Sequence, residues 1–230
     1  MIKVLLWDID GTVLDFLASE RYAVKKCFEI FGIGECSDEM VDRYSLINKK
    51  YWTLLESGKI TKPDVLRMRF EEFFISEGID FTDIDAFNKE YQIRLGDKIF
   101  FNDDSFELIK RLSNKFKQFA VTNGTAAAQE RKLRVSGLEE ILDGVFISDK
   151  IGFEKPTAEF FDVVLSSIGN YGKDEIMIVG DSLTSDIQGG NNAGILCCRY
   201  NPEGAENNKN LRIDLEVKNL NELEEKLSSF

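Results

Sequence analysis

Two aspartates at alternate positions, Asp8 and Asp10, follow a short apolar run near the start of the chain, residues 4–7. Such a run, ended by polar residues and a glycine, is typical of a strand buried on both faces of a sheet. Residues i and i+2 of an extended chain point the same way, so both carboxylates are aimed at one place. Close carboxylates repel each other, and a bound divalent cation removes that conflict. The segment therefore predicts a metal, a nucleophile and an acid; the alternative is a strand followed by an Asp-Gly turn.

Three further polar clusters fall where predicted strands end or shortly after them: Thr122-Asn123, Lys155, and Asp181 with Asp186. Each cluster alone has an ordinary explanation, as a turn, a solvated lysine or a helix cap. The carboxyl ends of parallel strands meet at one edge of a sheet, the usual place for an active site in an open α/β fold. We therefore expect these side chains to join the first two aspartates at a single site.

The composition narrows the chemistry further. The 230 residues contain no histidine, which excludes Ser-His-Asp catalysis, Cys-His catalysis and His-ligated zinc. Catalysis must then use carboxylates, lysine, hydroxyls or a metal held by oxygen. The net charge of −12 argues against a general nucleic-acid binder, which would usually show a basic face. A negative net charge is still compatible with an anionic substrate, because a metal ion and one well-placed lysine can make the local electrostatic potential positive.

The cysteines and the apolar segments predict a cytoplasmic protein. The four cysteines form no C-x-x-C pair, which favours reduced thiols. Asp8 interrupts the first apolar run, so no secretory signal is expected. No apolar stretch of the sequence is long enough to span a bilayer, so we expect no membrane partner.

The hydrophobic pattern divides the chain into two kinds of structure. Residues 16–98 contain about four amphipathic helices and no convincing strand. From Phe101 onward strands and helices alternate, which implies a parallel sheet covered on both faces. We therefore predict an α/β fold with a Rossmann-like parallel sheet, formed by residues 1–15 and 99–230, and an all-helical insert at 16–98.

In their order along the chain and their places on the predicted α/β sheet, the polar clusters resemble the four motifs of the haloacid dehalogenase (HAD) superfamily. The matching segments are Asp8-x-Asp10-x-Thr12, Thr122-Asn123, Lys155-Pro156 and Gly180-Asp181…Asp186. The helical insert occupies the place of that superfamily's type-1 cap. Two more segments resemble the subgroup of YjjG-like pyrimidine 5′-nucleotidases: Asp15-Phe16-x-x-Ser19-Glu20 and Ile151-Gly152-Phe153-Glu154-Lys155-Pro156. Trp7 and Thr157 depart from the usual pattern, which has Phe and an acidic residue at those positions.

The resemblance implies a phosphomonoesterase that works through an aspartyl-phosphate. Asp8 is expected to attack phosphorus, and Asp10 to protonate the leaving oxygen and then activate the hydrolytic water. Mg²⁺ is the expected cofactor, held by Asp8, the backbone carbonyl of Asp10, and Asp181. Asp186 is expected to support the metal or to orient Lys155.

The resemblance also implies how a substrate is bound. Thr122, Asn123 and Lys155 are expected to bind the phosphoryl oxygens. The expected substrates are small phosphorylated metabolites, with pyrimidine nucleoside monophosphates such as dUMP and dTMP first, and nucleic acid polymers are not expected. The insert carries aromatic residues that either stack on a base or, more simply, pack its own core: Phe16, Tyr22, Tyr44, Tyr51 and Trp52.

Four alternatives are weighed against this function. A sugar phosphatase or a phosphomutase would share both the insert and the second aspartate, and a phosphomutase would convert β-glucose 1-phosphate to glucose 6-phosphate. A dehalogenase needs no leaving-group acid, and that branch lacks the counterpart of Asp10. A non-enzymatic scaffold would usually have lost the nucleophile, the lysine or the metal-binding aspartate, and none is missing. The oligomeric state stays open.

Overall fold

A six-stranded parallel sheet forms the centre of the computed structural model, which describes residues 1–228. The strands are β1 Val4–Trp7, β2 Lys117–Thr122, β3 Gly144–Ile147, β4 Ile176–Gly180, β5 Leu196–Tyr200 and β6 Leu215–Val217. Their order across the sheet is β3-β2-β1-β4-β5-β6, and every neighbouring pair is parallel. The predicted α/β fold is confirmed. Because β1 lies between β2 and β4, the residues that follow it sit in the middle of the sheet's carboxyl edge.

Four of the helices between β1 and β2 pack around a core of their own. They are α1 Phe16–Phe31, α2 Asp38–Glu56, α3 Lys62–Glu77 and α4 Ile84–Arg94. The N-cap side chains that accept a backbone N–H at their starts are Asp15, Ser37, Thr61 and Asp83. Aromatic rings fill much of the core that these helices share. We propose that residues 16–98 form one structural unit, the cap, and that 1–15 with 99–228 form the core; residues 229 and 230 of the predicted core lie outside the described part.

In the described residues, seven helices cover the two faces of the sheet. They are α5 Ser105–Leu112, α6 Ala126–Ser136, α7 Leu138–Ile141, α8 Ser148–Ile151, α9 Ala158–Ser167, α10 Gln188–Ala193 and α11 Glu222–Ser228. A π-helical turn at Leu183–Ile187 precedes α10. Within residues 1–228, no helix combines the length and the apolar character needed to cross a membrane.

Alternation along β1 gives the sheet two hydrophobic cores. Leu5 and Trp7 belong to the cluster on one face, and Val4 and Leu6 belong to the cluster on the other. All four side chains are fully buried, as expected for a strand covered on both sides. The indole of Trp7 donates from Nε1 to Gln118 Oε1 at 3.0 Å, so its polar atom is satisfied inside the core.

Two adjacent segments connect the cap to the sheet. The backbone N–H of Asp15 donates to the carbonyl of Phe100 at 2.8 Å, and that of Asn102 donates to the carbonyl of Val13 at 3.0 Å. The chain that leaves the core and the chain that returns to it therefore run side by side. This double connection lies directly after the Asp8–Asp10 segment, so the cap is attached beside the predicted site.

Candidate active site

The polar groups predicted from the sequence meet at the carboxyl edge of the sheet. Asp8 follows β1 directly, Thr122 ends β2, Asp181 follows β4, and Lys155 lies in the loop before α9. All of them line one cavity of about 770 Å³, to whose wall both the core and the cap contribute residues. A parallel sheet with β1 at its centre accounts for this convergence.

Lys155 joins two of the aspartates. Its Nζ donates to Asp8 Oδ1 at 2.7 Å, to Asp186 Oδ1 at 2.6 Å and to the carbonyl of Val121 at 2.8 Å. Only 1% of the lysine is exposed. Burial alone would lower the pKa of Lys155, but the charges of Asp186 and Asp8 outweigh it and raise that pKa above its ordinary value. The ammonium group is therefore held as a cation against Asp8.

Three carboxylates crowd the same corner of the cavity. One oxygen from each of Asp8, Asp181 and Asp186 lies within 4.8 Å of the other two. Burial raises the pKa of Asp8 well above its usual range, and the charge of Asp186 adds to the effect. Burial and the charge of Asp186 also raise the pKa of Asp181 to about 7. One lysine does not offset three carboxylates, so the donor set fits a divalent cation, and its all-oxygen character fits Mg²⁺.

Both carboxylate oxygens of Asp186 are engaged. Oδ1 accepts from Lys155, and Oδ2 accepts from the backbone N–H of Ser182 at 3.1 Å. A Cβ at Gly180 would lie 2.3 Å from the carboxyl carbon of Asp186, so the last residue of β4 has no room for a side chain. The geometry uses Asp186 to hold the lysine and the turn after β4.

The loop after β1 passes very close to Asp181. Gly11 has a φ of +99°, and a Cβ there would lie 2.9 Å from both carboxylate oxygens of Asp181. The hydroxyl of Thr12 donates to Asp181 Oδ1 at 3.2 Å. Both Gly11 and Thr12 therefore contact Asp181, one through its backbone and one through its hydroxyl. A simple Asp-Gly turn would not require these contacts.

Asn123 fixes the loop that carries Lys155. Its Nδ2 donates to the Lys155 carbonyl at 2.8 Å, and its Oδ1 accepts from the Lys155 backbone N–H at 2.8 Å. The side-chain amide of Asn123, a residue that the family resemblance assigned to phosphoryl binding, is therefore occupied by protein backbone. Thr122 is buried at the cavity wall, and its hydroxyl oxygen accepts from the backbone N–H of Gly124 at 3.2 Å.

Two partners of Asp10 were not found by sequence reasoning. Lys132 Nζ lies 2.5 Å from Asp10 Oδ1, and Gln129 Nε2 donates to Asp10 Oδ2 at 2.6 Å. Both belong to α6, which begins just after Thr122-Asn123 at the active edge of the sheet. Polar residues three apart lie on one face of a helix. With the start of α6 placed at this edge of the sheet, the spacing of Gln129 and Lys132 could have indicated that both face the site.

The five aromatic residues considered for base stacking fall into two groups. Tyr44 and Tyr51 are buried within the cap, and Tyr22 lies beneath a lysine side chain. Phe16 and Trp52 are half-buried and line the cavity. Packing within the cap therefore accounts for Tyr44 and Tyr51, while Phe16 and Trp52 are the two that can contact a substrate.

Polar contacts also bridge the cap and the core around the cavity. At the start of α3, Lys62 Nζ donates to Ser148 Oγ and to Asp149 Oδ1, both at 2.6 Å. At the end of α2, Glu56 accepts a hydrogen bond from the hydroxyl of Thr184, in the turn after β4. Burial raises the pKa of Glu56 to about 7. These contacts hold the α2–α3 connection of the cap against the edge that carries the site.

The fold and this arrangement of side chains define a class of hydrolase. A family model described as haloacid dehalogenase-like hydrolase matches residues 2–194. The chain belongs to this family, and the resemblance inferred from the motifs is confirmed.

Particular relatives place it within the YjjG-like group. The chain is 35% identical over 221 residues to the HAD-hydrolase YfnB of Bacillus subtilis, covering 96% of this chain and 93% of YfnB. It is 35% identical over 216 residues to the pyrimidine 5′-nucleotidase PynA of Streptococcus pneumoniae, covering 94% and 90% of the two chains. It is 26% identical over 223 residues to the pyrimidine 5′-nucleotidase YjjG of Escherichia coli, covering 97% and 96%. A crystal structure of YfnB bound to magnesium, described as revealing interdomain movement, matches with a TM-score of 0.92 at 34% identity over 98% of both chains.

Proposed function

We propose that the protein is a Mg²⁺-dependent phosphomonoesterase that works through an aspartyl-phosphate and acts as a 5′-nucleotidase on small nucleoside monophosphates. The observation that carries this proposal is the contact between Asp8 and the buried cation of Lys155, with Asp10 held two residues further on. PynA and YjjG, both named pyrimidine 5′-nucleotidases, support the choice of substrate class.

Asp8 is the nucleophile in this proposal. Lys155 contacts its Oδ1, so we assign the attack to Oδ2. The new bond joins Oδ2 to phosphorus while the bond between phosphorus and the 5′-oxygen of the nucleoside breaks. Mg²⁺, when bound, supplies positive charge that favours the ionised form of Asp8 and neutralises the phosphoryl oxygens. Asp8, the backbone carbonyl of Asp10, and Asp181 would hold the ion, with Asp186 in support.

Asp10 transfers the protons. It protonates the 5′-oxygen as the nucleoside leaves, and it then takes a proton from the water that attacks the phosphorus of the aspartyl-phosphate. The second step releases inorganic phosphate and restores the Asp8 carboxylate. Such acid-base assistance typically contributes about 10²–10⁴ in rate.

Three residues bind the phosphoryl group in this account. Thr122, Asn123 and Lys155 line the same cavity as Asp8, and the ammonium group of Lys155 contacts the Asp8 carboxylate. Because the Asn123 amide is occupied by the Lys155 backbone, we assign its contribution to its backbone N–H. Groups fixed in this way stabilise the charge that develops during transfer without reorganising.

The cap determines which phosphate ester enters. A cavity of about 770 Å³ is of the size that binds small molecules, and the cap closes one side of it. The rings of Phe16 and Trp52 line the cavity and offer surfaces on which a base can stack. A phosphoprotein or a long nucleic acid would clash with the cap. A small nucleoside monophosphate therefore fits the enclosure better than a polymer.

A phosphate-release assay in Mg²⁺ tests the proposal. We expect kcat/KM for dUMP and dTMP to exceed the values for glucose 6-phosphate and glycerol phosphate, and AMP separates pyrimidine from purine preference. Asp8→Asn should abolish release, and Asp162→Asn, at an exposed position in α9, should not. If sugar phosphates exceed every nucleotide by about tenfold, roughly 1.4 kcal/mol in transition-state binding, the nucleotidase assignment is wrong. Conversion of β-glucose 1-phosphate to glucose 6-phosphate would identify a phosphomutase instead.

A further inference from the structure

Lys132 is a buried cation at the edge of the active-site cavity. Only 1% of the residue is exposed, and α6 carries it toward the end of β1. A lysine taken out of water destabilises the fold unless a charged partner compensates it. That partner is Asp10, whose Oδ1 lies 2.5 Å from the lysine Nζ. The ring of Phe16 lies 5.2 Å from the same ammonium group and covers it from the cap side.

Gln129 holds the other oxygen of the same carboxylate. Its Nε2 donates to Asp10 Oδ2 at 2.6 Å, and the residue is also 1% exposed. Contacts to both oxygens fix the position of the Asp10 carboxylate and the rotation of its plane. Lys132 and Gln129 are three residues apart on one face of α6, so a single rigid helix sets both contacts.

Gly124 makes room for this arrangement. A Cβ on Gly124 would lie 2.2 Å from Gln129 Nε2 and 2.8 Å from its Cδ. The space beside Gly124 is filled by the side chain that reaches Asp10. The Thr122-Asn123-Gly124 segment thereby connects to the proton-transfer residue as well as to Lys155.

The Gln129 amide can serve both states of its partner. In the described residues its Oε1 is buried without a hydrogen-bond partner. An amide carries a donor group and an acceptor oxygen, so half a turn about its last bond exchanges them. The side chain can therefore donate to the carboxylate of Asp10 or accept from its carboxylic acid, and Asp10 passes through both forms in the reaction proposed above.

We propose that Lys132 and Gln129 are positioning residues that hold the Asp10 carboxylate for its two proton transfers. This inference rests on the proposed function, in which Asp10 is the acid and the base. Neither residue touches phosphorus; both act through Asp10. The ion pair sets where the carboxylate lies, and the amide sets how it is turned.

The test compares substrates that differ in their need for a leaving-group proton. Lys132→Met removes the charge at similar length, and Lys132→Arg keeps it. For dUMP, Lys132→Met should lower kcat roughly 10- to 100-fold, within the range of acid-base assistance, with KM changed less than about threefold. With p-nitrophenyl phosphate, whose leaving group needs no proton, the first-turnover burst of p-nitrophenol should stay close to the wild-type rate. Lys132→Arg should retain most of the activity.

Matched variants separate positioning from general damage. Lys110→Met, at an exposed lysine of α5, should behave as wild type. Gln129→Met should also lower kcat for dUMP, but by a smaller factor. Because it replaces a neutral side chain, it provides a second test if Lys132→Met does not fold. In the double variant, Lys132→Met should lower kcat less than about twofold below the value of Asp10→Asn alone, because both substitutions act through the Asp10 carboxylate.

Defined results would overturn the inference. A kcat for dUMP within twofold of wild type in a folded Lys132→Met, equal losses in the p-nitrophenol burst and in dUMP turnover, or additive losses with Asp10→Asn would each do so. In all three cases the proposed function would stand. It would fail separately if wild-type enzyme released no phosphate from any ester, or if Asp10→Asn were fully active.

Discussion

The metal-free protein should become more stable when Asp181 is replaced by asparagine. Asp181 shares its corner with Asp8 and Asp186, with one oxygen of each within 4.8 Å of the others. Asp181→Asn removes one of three negative charges and keeps the shape of the side chain. Its amide oxygen can still accept the hydroxyl of Thr12. In the proposed function, this repulsion serves cation binding at the expense of stability.

Coulomb's law sets the size of the effect. Two like charges 4.8 Å apart repel by roughly 3–4 kcal/mol at an effective dielectric constant of about 20, and by roughly 1 kcal/mol in water. The attraction of Lys155 offsets part of this repulsion, and solvent that reaches Asp181 screens more of it. We therefore expect the free energy of unfolding to rise by about 1–2 kcal/mol, which corresponds to a Tm increase of roughly 2–8 °C for a chain of this size.

The gain should depend on pH in a defined direction. Burial and the charge of Asp186 raise the pKa of Asp181 to about 7 in the folded protein, above its value in the unfolded chain. The folded state therefore binds this proton more tightly, and wild-type stability falls as the pH rises from about 4 to about 7. Asp181→Asn removes this loss, so the two proteins should differ little near the low end of that window and most above it.

Thermal unfolding followed by circular dichroism in EDTA measures the difference at the two ends of that pH window. Asp162→Asn is the control, because it removes a carboxylate from an exposed site in α9. Adding Mg²⁺ should stabilise the wild type, by about 2.7 kcal/mol at a hundredfold excess over Kd, and should stabilise Asp181→Asn much less. A variant that melts below the wild type in EDTA at the higher pH would refute the reasoning.

Three other substitutions test single contacts. Lys155→Met should abolish phosphate release and lower the Tm, because two buried carboxylates lose their counter-charge; normal activity would contradict the assigned role. Lys62→Met, which removes the contact with Asp149, should raise KM for dUMP roughly fivefold, about 1 kcal/mol, and an unchanged KM would show that this contact does not hold the cap. Gly11→Ala should reduce kcat/KM at least about tenfold, because its Cβ would lie 2.9 Å from the Asp181 carboxylate oxygens; full activity would argue against that close approach.

Groups placed directly by the sheet were predictable from the sequence. Asp8, Thr122 and Asp181 each end or follow a buried strand, and parallel strands bring their carboxyl ends to one edge. The continuous apolar run of β1 also predicted burial on both faces. Strand β6 was missed because it has only three residues and follows a polar loop, although apolar and acidic residues alternate from Ile213 to Val217.

Contacts that depend on the rotation of a helix or the path of a loop were not predictable in the same way. The pairing of Lys132 with Asp10 requires both the start of α6 and the angle at which that helix meets β1. From the sequence, the amide of Asn123 could face either a ligand or a neighbouring loop. In the structure it faces the loop that carries Lys155. Side-chain type indicated that these residues could do chemistry, whereas tertiary geometry determines which partner each one meets.

Trapping the phosphoryl group on Asp8 tests the central claim most directly. Enzyme turning over dUMP in Mg²⁺ would be quenched in acid, reduced with borohydride to convert an acyl phosphate to an alcohol, and digested for mass spectrometry. We expect reduction at Asp8 in the wild type and none at that position in Asp8→Asn. Release of phosphate from dUMP without any reduced side chain at Asp8, or with the modification at another carboxylate, would contradict the mechanism.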